Sequence, residues 1–239
     1  MRPSATPHRS PHRSPRPASQ LSTLAAELLG RLPTMTEEER RLGLAIYGHL
    51  AEGAPVLEST LATALGMPLG AVAELLGHPN LNSLTYRDPA GRIVGFGGLA
   101  VREMPHRFQV RGRMLYTWCA WDSLFIPVIL GVEARVESAA PGGGGRVCLS
   151  VAPERVTHLE PRGAVMSFLL PSAQTFQADA LKAIASFCHY IFFFPDRHTA
   201  AAWTGADPET TVISVSDAFE LGRLMVAERW RTTRQPGGP

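Results

Sequence analysis

The stretch LESTLATALGMPLGAVAELLGHP at 57–79, running on into LTYRDPAGRIVGFGG at 84–98, decides how the N-terminal part of the chain folds. Its apolar residues keep helical spacing on both sides of Gly66, so it reads as a short helix, a turn and a second helix. Ala62, Gly66 and Val72 stand where a helix-turn-helix wants a small residue, a turn glycine and an apolar packing residue. D-P-A-G at 88–91 then predicts a hairpin turn, which would form the wing of a winged helix. Charge argues against DNA binding by this module. Between Arg41 and Arg87 there is no Lys or Arg, and PLGAVAELLGH offers no Arg, Lys, Asn or Gln. Phosphate neutralisation and base readout both need such groups. The module is therefore expected to be a winged-helix-like scaffold, with no nucleic acid as partner.

Upstream, Leu21, Leu24, Ala25, Leu28, Leu29 and Leu32 keep a helical period up to Pro33. T-E-E-E at 36–39 predicts a capping box between Thr36 and Glu39, opening a helix that turns Leu42, Ile46 and Leu50 inward. Residues 1–20, with the near-repeat HRSPHRSPRP, read as a disordered Arg/Pro/Ser-rich tail. Downstream of about residue 99 the pattern turns mixed. Strand-like pieces occur at LAVRE, HRFQV, EARVES, RVCLSVA, AVMSFLLP, CHYIFFF and TVISV. A helix is expected from Trp118 to about Ile126, and an amphipathic closing helix from a Ser216 cap. Strands rarely alternate with full helices, so the expected class is α+β. It comprises a winged-helix-like region at 21–98 and a mostly antiparallel mixed domain at 99–239.

With 45% hydrophobic and 18% charged residues over 239 positions, the composition is that of a globular protein. The formal charge of +2 comes from the tail. Without Arg2, Arg9, Arg13 and Arg16, the 23 basic residues fall to 19 against 21 acidic ones. The body thus has no global attraction to nucleic acid or anionic lipid. No apolar run approaches membrane-spanning length, and the N-terminus lacks the apolar core of a secretory signal. Three cysteines, Cys119, Cys148 and Cys188, do not make a disulfide framework, which points to a reducing, cytoplasmic setting.

Chemistry concentrates in W-C-A-W-D at 118–122. If a helix opens at Trp118 or Cys119, Cys119 and Asp122 share one face at i, i+3. The helix N-terminus would favour a thiolate, and apolar shielding by Trp118 and Trp121 would raise Asp122 towards neutrality as a proton donor. Cys188, in S-F-C-H-Y-I-F-F-F, is also wrapped in aromatics; two thiolates from distant segments would suit a soft metal. Cys148 alternates with polar positions in a strand and reads as a core thiol. A buried cysteine is usually an inert small hydrophobe, so residue types alone leave Cys119 open between core and reactive sulfur. His189 has no partner histidine at zinc-ligand spacing. No GxGxxG, GxxxxGK[ST] or GxSxG is present, and GFGG reads as hairpin glycines.

R-x-L-Y-x-W-C-A-x-D-x-L-x-x-P, from Arg113 to Pro127, closely resembles the active-site segment of the bacterial organomercurial (alkylmercury) lyases, as does S-F-C-H-Y-I-F-F-F at 186–194. The resemblance extends over roughly residues 36–225. It implies protonolysis of a carbon–mercury bond, giving a hydrocarbon and Hg(II). It places the two family cysteines on Cys119 and Cys188, as mercury ligands, and the acid on Asp122, as proton relay and possible mercury ligand. It implies no organic cofactor, with an organomercurial as substrate and cellular thiols or mercuric reductase as acceptors of Hg(II). The aromatic residues, including Phe192–Phe194, are expected to line an apolar pocket, which the bulk of Trp121 narrows. Two readings compete: a thiol- or soft-metal-responsive helix-turn-helix regulator, and a soft-metal-binding protein without turnover.

Overall fold

The computed structural model describes residues 16–169, 188–205 and 210–231, with backbone alone at Leu169 and Cys188. Residues 1–15, most of the expected tail, lie outside the described residues. The first helix, α1 (Ala18–Gly30), begins before Leu21 and buries Leu21, Ala25 and Leu28. The capping box forms as expected. Glu39 N–H donates to Thr36 Oγ1 at 3.1 Å, and Thr36 N–H donates to Glu39 Oε2 at 2.8 Å. It opens α2 (Glu37–Leu50), whose Leu42, Ile46 and Leu50 are fully buried.

The stretch at 57–79 becomes α3 (Glu58–Leu65) and α4 (Leu69–Gly77), bent by 114° about Gly66. Gly66 takes φ +65°, a left-handed turn that costs glycine nothing. Ala62 and Val72, on either side of the turn, are buried. After the short α5 (Pro79–Asn82), β1 (Thr85–Arg87) and β2 (Ile93–Phe96) flank the D-P-A-G turn. There Asp88 Oδ1 accepts from the N–H groups of Ala90 and Arg92 at 3.0 and 2.9 Å.

This hairpin forms one edge of a larger sheet. With β3 (Leu99–Ala100), β4 (His106–Val110), β5 (Arg113–Thr117), β6 (Ala134–Ala139), β7 (Arg146–Ala152) and β8 (Arg155–Glu160) it makes an eight-stranded antiparallel sheet ordered β1-β2-β3-β5-β4-β6-β7-β8. The division drawn at residue 98 falls in the two-residue turn between β2 and β3, which pair at Phe96 and Leu99. A second antiparallel sheet is ordered β10-β9-β11, from β9 (Val165–Leu169), β10 (Phe193–Phe194) and β11 (Thr210–Ser214). Helices α6 (Asp122–Leu130), α7 (Arg197–Thr204) and α8 (Val215–Arg229) complete the described chain. The architecture is α+β with antiparallel sheets. Helix α6 packs on β7, and α8 packs on both α6 and α1. Among the described residues no single helix is long and apolar enough to cross a membrane.

Several local expectations are corrected. Strands β5 and β8 were not expected; β8 is an edge strand that buries none of its residues, so its sequence carries little apolar alternation. The closing helix is capped by Ser214, whose Oγ accepts from Asp217 N–H at 3.0 Å, rather than by Ser216. CHYIFFF is a 3₁₀ turn at Cys188–Tyr190 followed by a two-residue strand. Cys148 is half-buried on the outer face of β7, whereas its neighbours Val147 and Leu149 fill the core.

Candidate active site

β5 delivers the chain to Trp118, and the backbone then turns sharply before α6 begins at Asp122. The helix therefore starts four residues later than expected, and Cys119 lies in the turn ahead of it. The reason is local. Cys119 N–H donates to Asp122 Oδ2 at 2.8 Å, so the carboxyl satisfies the turn before the helix, as the last residue of a capping box does. Thr117 Oγ1 donates to the Cys119 carbonyl at 3.0 Å, and Ser123 Oγ to that of Ala120 at 2.6 Å. Helix α6 tolerates Pro127 and runs to Leu130, ending at Gly131 in a left-handed conformation.

Cys119 and Asp122 are 1% and 6% exposed, so both are dehydrated. Burial pushes the Asp122 carboxyl up to about 7 from an ordinary 3.8, opposed by hydrogen bonds from the thiol and the N–H of Cys119. A group at that value holds and releases a proton at neutral pH. The expected carboxyl beside the thiol, shifted by apolar shielding, is present, although a turn rather than a helix face brings the pair together.

The turn between β2 and β3 closes over this pair. Gly97 and Gly98 both have positive φ, +50° and +98°, as a two-residue hairpin turn of this hand requires. Gly98 Cα abuts the Asp122 carboxyl so closely that an added Cβ would fall 2.5 Å from Oδ1. Tyr47 Oη, from α2, donates to the Gly97 carbonyl at 2.7 Å, and Trp118 N–H donates to that of Gly98 at 2.9 Å. The turn is thus pinned from both sides with the carboxyl beneath it. GFGG was read as hairpin glycines only. That reading holds, but contact between residue 98 and residue 122 leaves no local sequence signal.

A cavity of about 170 Å³ opens onto the pair, close in size to apolar cavities that accept a benzene ring. Trp118, Trp121, Cys119, Asp122 and Phe125 line one side, and Leu28, Leu32, Met225, Val226 and Trp230 line the other. Trp121 is held by Nε1–H donating to the Ala218 carbonyl at 2.9 Å, with its ring edge-on to Phe125 and Phe168. Phe192–Phe194 are not among the lining residues. Phe192 and Phe194 pack against Trp203, and Phe193 meets His106. The wall expected from that run comes instead from α1 and α8, near the two ends of the chain.

The side chain of Cys188 lies outside the described residues, but its backbone path is on record. Ala120 N–H donates to the Ile191 carbonyl at 3.1 Å, tying the turn after Cys119 to the segment three residues beyond Cys188. Tertiary structure thus runs the two cysteine segments alongside each other. Among the described residues no cluster of three or more His, Cys, Asp or Glu side chains has the geometry of a metal site.

The sequence model of the alkylmercury lyases (MerB) matches residues 99–227. The alkylmercury lyase of Pseudomonas putida is 39% identical over 189 residues, covering 79% of this chain and 84% of that protein. The chain belongs to the alkylmercury lyase family. The enzyme of that name from Staphylococcus epidermidis is 39% identical over 74% of this chain and 78% of its own length, and that from Bacillus cereus 36% identical over 79% and 82%. The crystal structure of the mercury-bound form of MerB2 has the same fold, with a TM-score of 0.65 over 87% of this chain and 97% of that one, at 20% identity. The alkylmercury lyase model spans both cysteine segments and most of α8. It stops short of Arg229 and Trp230 and begins after Tyr47, three cavity residues that sequence reasoning did not select.

Proposed function

We propose that this alkylmercury lyase family member cleaves the carbon–mercury bond of organomercurials by protonolysis, with Cys119 and Cys188 as mercury ligands and Asp122 as proton relay. The observation that carries this reading is the buried Asp122 carboxyl, raised to about 7, hydrogen-bonded to Cys119 at an apolar cavity. Mercury is very soft, and a thiolate is its natural ligand. Asp122 takes the proton of the Cys119 thiol as the sulfur bonds to mercury. The outgoing thiolate R′S⁻ leaves with the electron pair of its Hg–S bond. Cys188 thiolate then adds to mercury and enriches the Hg–C bond in electron density. That bond pair takes the proton from Asp122, so a hydrocarbon R–H departs and Hg(II) stays on two sulfurs. No redox change occurs, and no resident cofactor is needed.

The cavity receives a methyl, ethyl or phenyl group. Cellular thiols or mercuric reductase remove Hg(II) in a cytoplasmic setting. The region at 21–98 acts as a winged-helix-like scaffold for the domain at 99–239: α2 supplies Tyr47, and the turn between β2 and β3 supplies Gly97 and Gly98. A test is direct. Purified protein with phenylmercury and excess thiol should yield benzene and Hg(II) with turnover. Absence of hydrocarbon with methyl-, ethyl- and phenylmercury alike would refute the reading, and mercury binding without hydrocarbon would favour a non-catalytic soft-metal protein.

A further inference from the structure

Arg229, in the last turn of α8, is the sole fixed positive charge among the described residues lining the cavity. Its Nη1 donates to the Pro33 carbonyl at 3.1 Å, and Pro33 is exposed, so the guanidinium stands where the cavity meets the surface. None of the ion pairs among the described residues includes Arg229. Besides the Tyr47 phenol, the acid whose charge acts on it is Glu39, which is already committed to Thr36 N–H, Asn80 and His78. A partly dehydrated charge is ordinarily paired, and a guanidinium carries five donors in a planar fork. Here one donor meets a backbone carbonyl, and the rest find no carboxylate among the described residues.

We infer that Arg229 recognises the carboxylate of the thiol that carries the organomercurial into the cavity, so the substrate class is the organomercury complex of an anionic, carboxylate-bearing thiol. This inference rests on the lyase reading above. In such a complex, R–Hg–S–R′, the apolar R group enters between Trp118, Trp121 and Met225, and R′ points outward. The Cys119 thiolate bonds to mercury, the Hg–S bond to R′ breaks, and the electron pair leaves on R′S⁻. Arg229 pairs with the carboxylate on R′ while this exchange takes place, a geometry that suits a two-point guanidinium–carboxylate contact.

Phenylmercury complexes of 3-mercaptopropionate, 2-mercaptoethanol and 2-aminoethanethiol present anionic, neutral and cationic thiols of similar length. Single-turnover benzene formation at low salt, followed against substrate concentration, separates binding from chemistry. The parent enzyme should half-saturate with the anionic complex at a roughly tenfold lower concentration than with the neutral one, with the cationic one weakest and a similar limiting rate for all three. Tenfold corresponds to about 1.4 kcal/mol. Arg229→Gln should bring the anionic-to-neutral ratio of half-saturating concentrations close to one, and Arg229→Lys should fall between. No dependence on thiol charge in the parent enzyme overturns the inference without recourse to a variant. An undiminished anionic preference in Arg229→Gln overturns it equally. Benzene from none of the complexes would overturn the lyase reading and this inference with it.

Discussion

Replacing Gly98 with alanine should nearly abolish cleavage while leaving capture of the organomercurial intact. The new Cβ would stand 2.5 Å from Asp122 Oδ1 and 2.8 Å from Asp122 Cβ, well inside van der Waals contact, so the carboxyl or the turn must move. The turn is the stiffer partner, because Tyr47 Oη and Trp118 N–H hold its two carbonyls. The carboxyl therefore swings away and loses its bond to Cys119 N–H. A non-glycine residue at φ +98° costs roughly 1–3 kcal/mol, and losing a hydrogen bond to a charged group about 1.5–3 kcal/mol. Stability should drop by roughly 3–5 kcal/mol. A donor displaced by about 1 Å costs on the order of 10²-fold in rate. Two measurements separate the effects: mercury retained per protein after gel filtration, and benzene released in a single turnover from phenylmercury. Retention near the parental level with a rate down about 100-fold is expected. A Gly98→Ala protein that cleaves at the parental rate would refute the argument that this turn sets the position of Asp122.

Asp122→Asn should bind phenylmercury but cleave it roughly 10²–10⁴-fold more slowly, since it removes the proton carrier and keeps the shape. Because the folded protein holds the Asp122 proton up to about pH 7 and the unfolded chain releases it near 3.8, folding stability should fall as pH rises across that window. At about 1.4 kcal/mol per unit this amounts to roughly 4 kcal/mol, and urea titrations at pH 4–8 should show the slope flattening in Asp122→Asn. Cys148→Ser, on the outer face of β7, should change turnover less than twofold and stability by no more than about 0.5 kcal/mol; a loss like that of Cys188→Ser would mean the wrong thiol has been assigned. Trp121→Phe should cost about 1 kcal/mol through its lost donor to the Ala218 carbonyl, and the wider cavity should favour phenyl- over methylmercury in competition assays.

The sequence alone was sufficient wherever cause and effect lie within a few residues. The Thr36–Glu39 box, the Gly66 turn and the Asp88–Gly91 hairpin each depend on short-range hydrogen bonds or backbone preference, and all three formed as read. Cys119 and Asp122 were likewise selected as a pair by their separation of three, although the helix start was misplaced. An aspartate that bonds backward to an N–H three residues earlier opens a helix rather than continuing one. Tertiary structure decided everything that required distant segments to meet. It laid the D-P-A-G hairpin into the main sheet and set Gly98 and Tyr47 around the carboxyl. It also drew the cavity wall from α1 and α8 where the phenylalanine run was expected. Apolar periodicity tells which face of a helix is buried, but any complementary apolar face satisfies it equally well. Which partner it meets depends on the packing of the whole chain, and in this protein that packing sets the Arg229 guanidinium and the Cys119 thiol on the wall of one cavity.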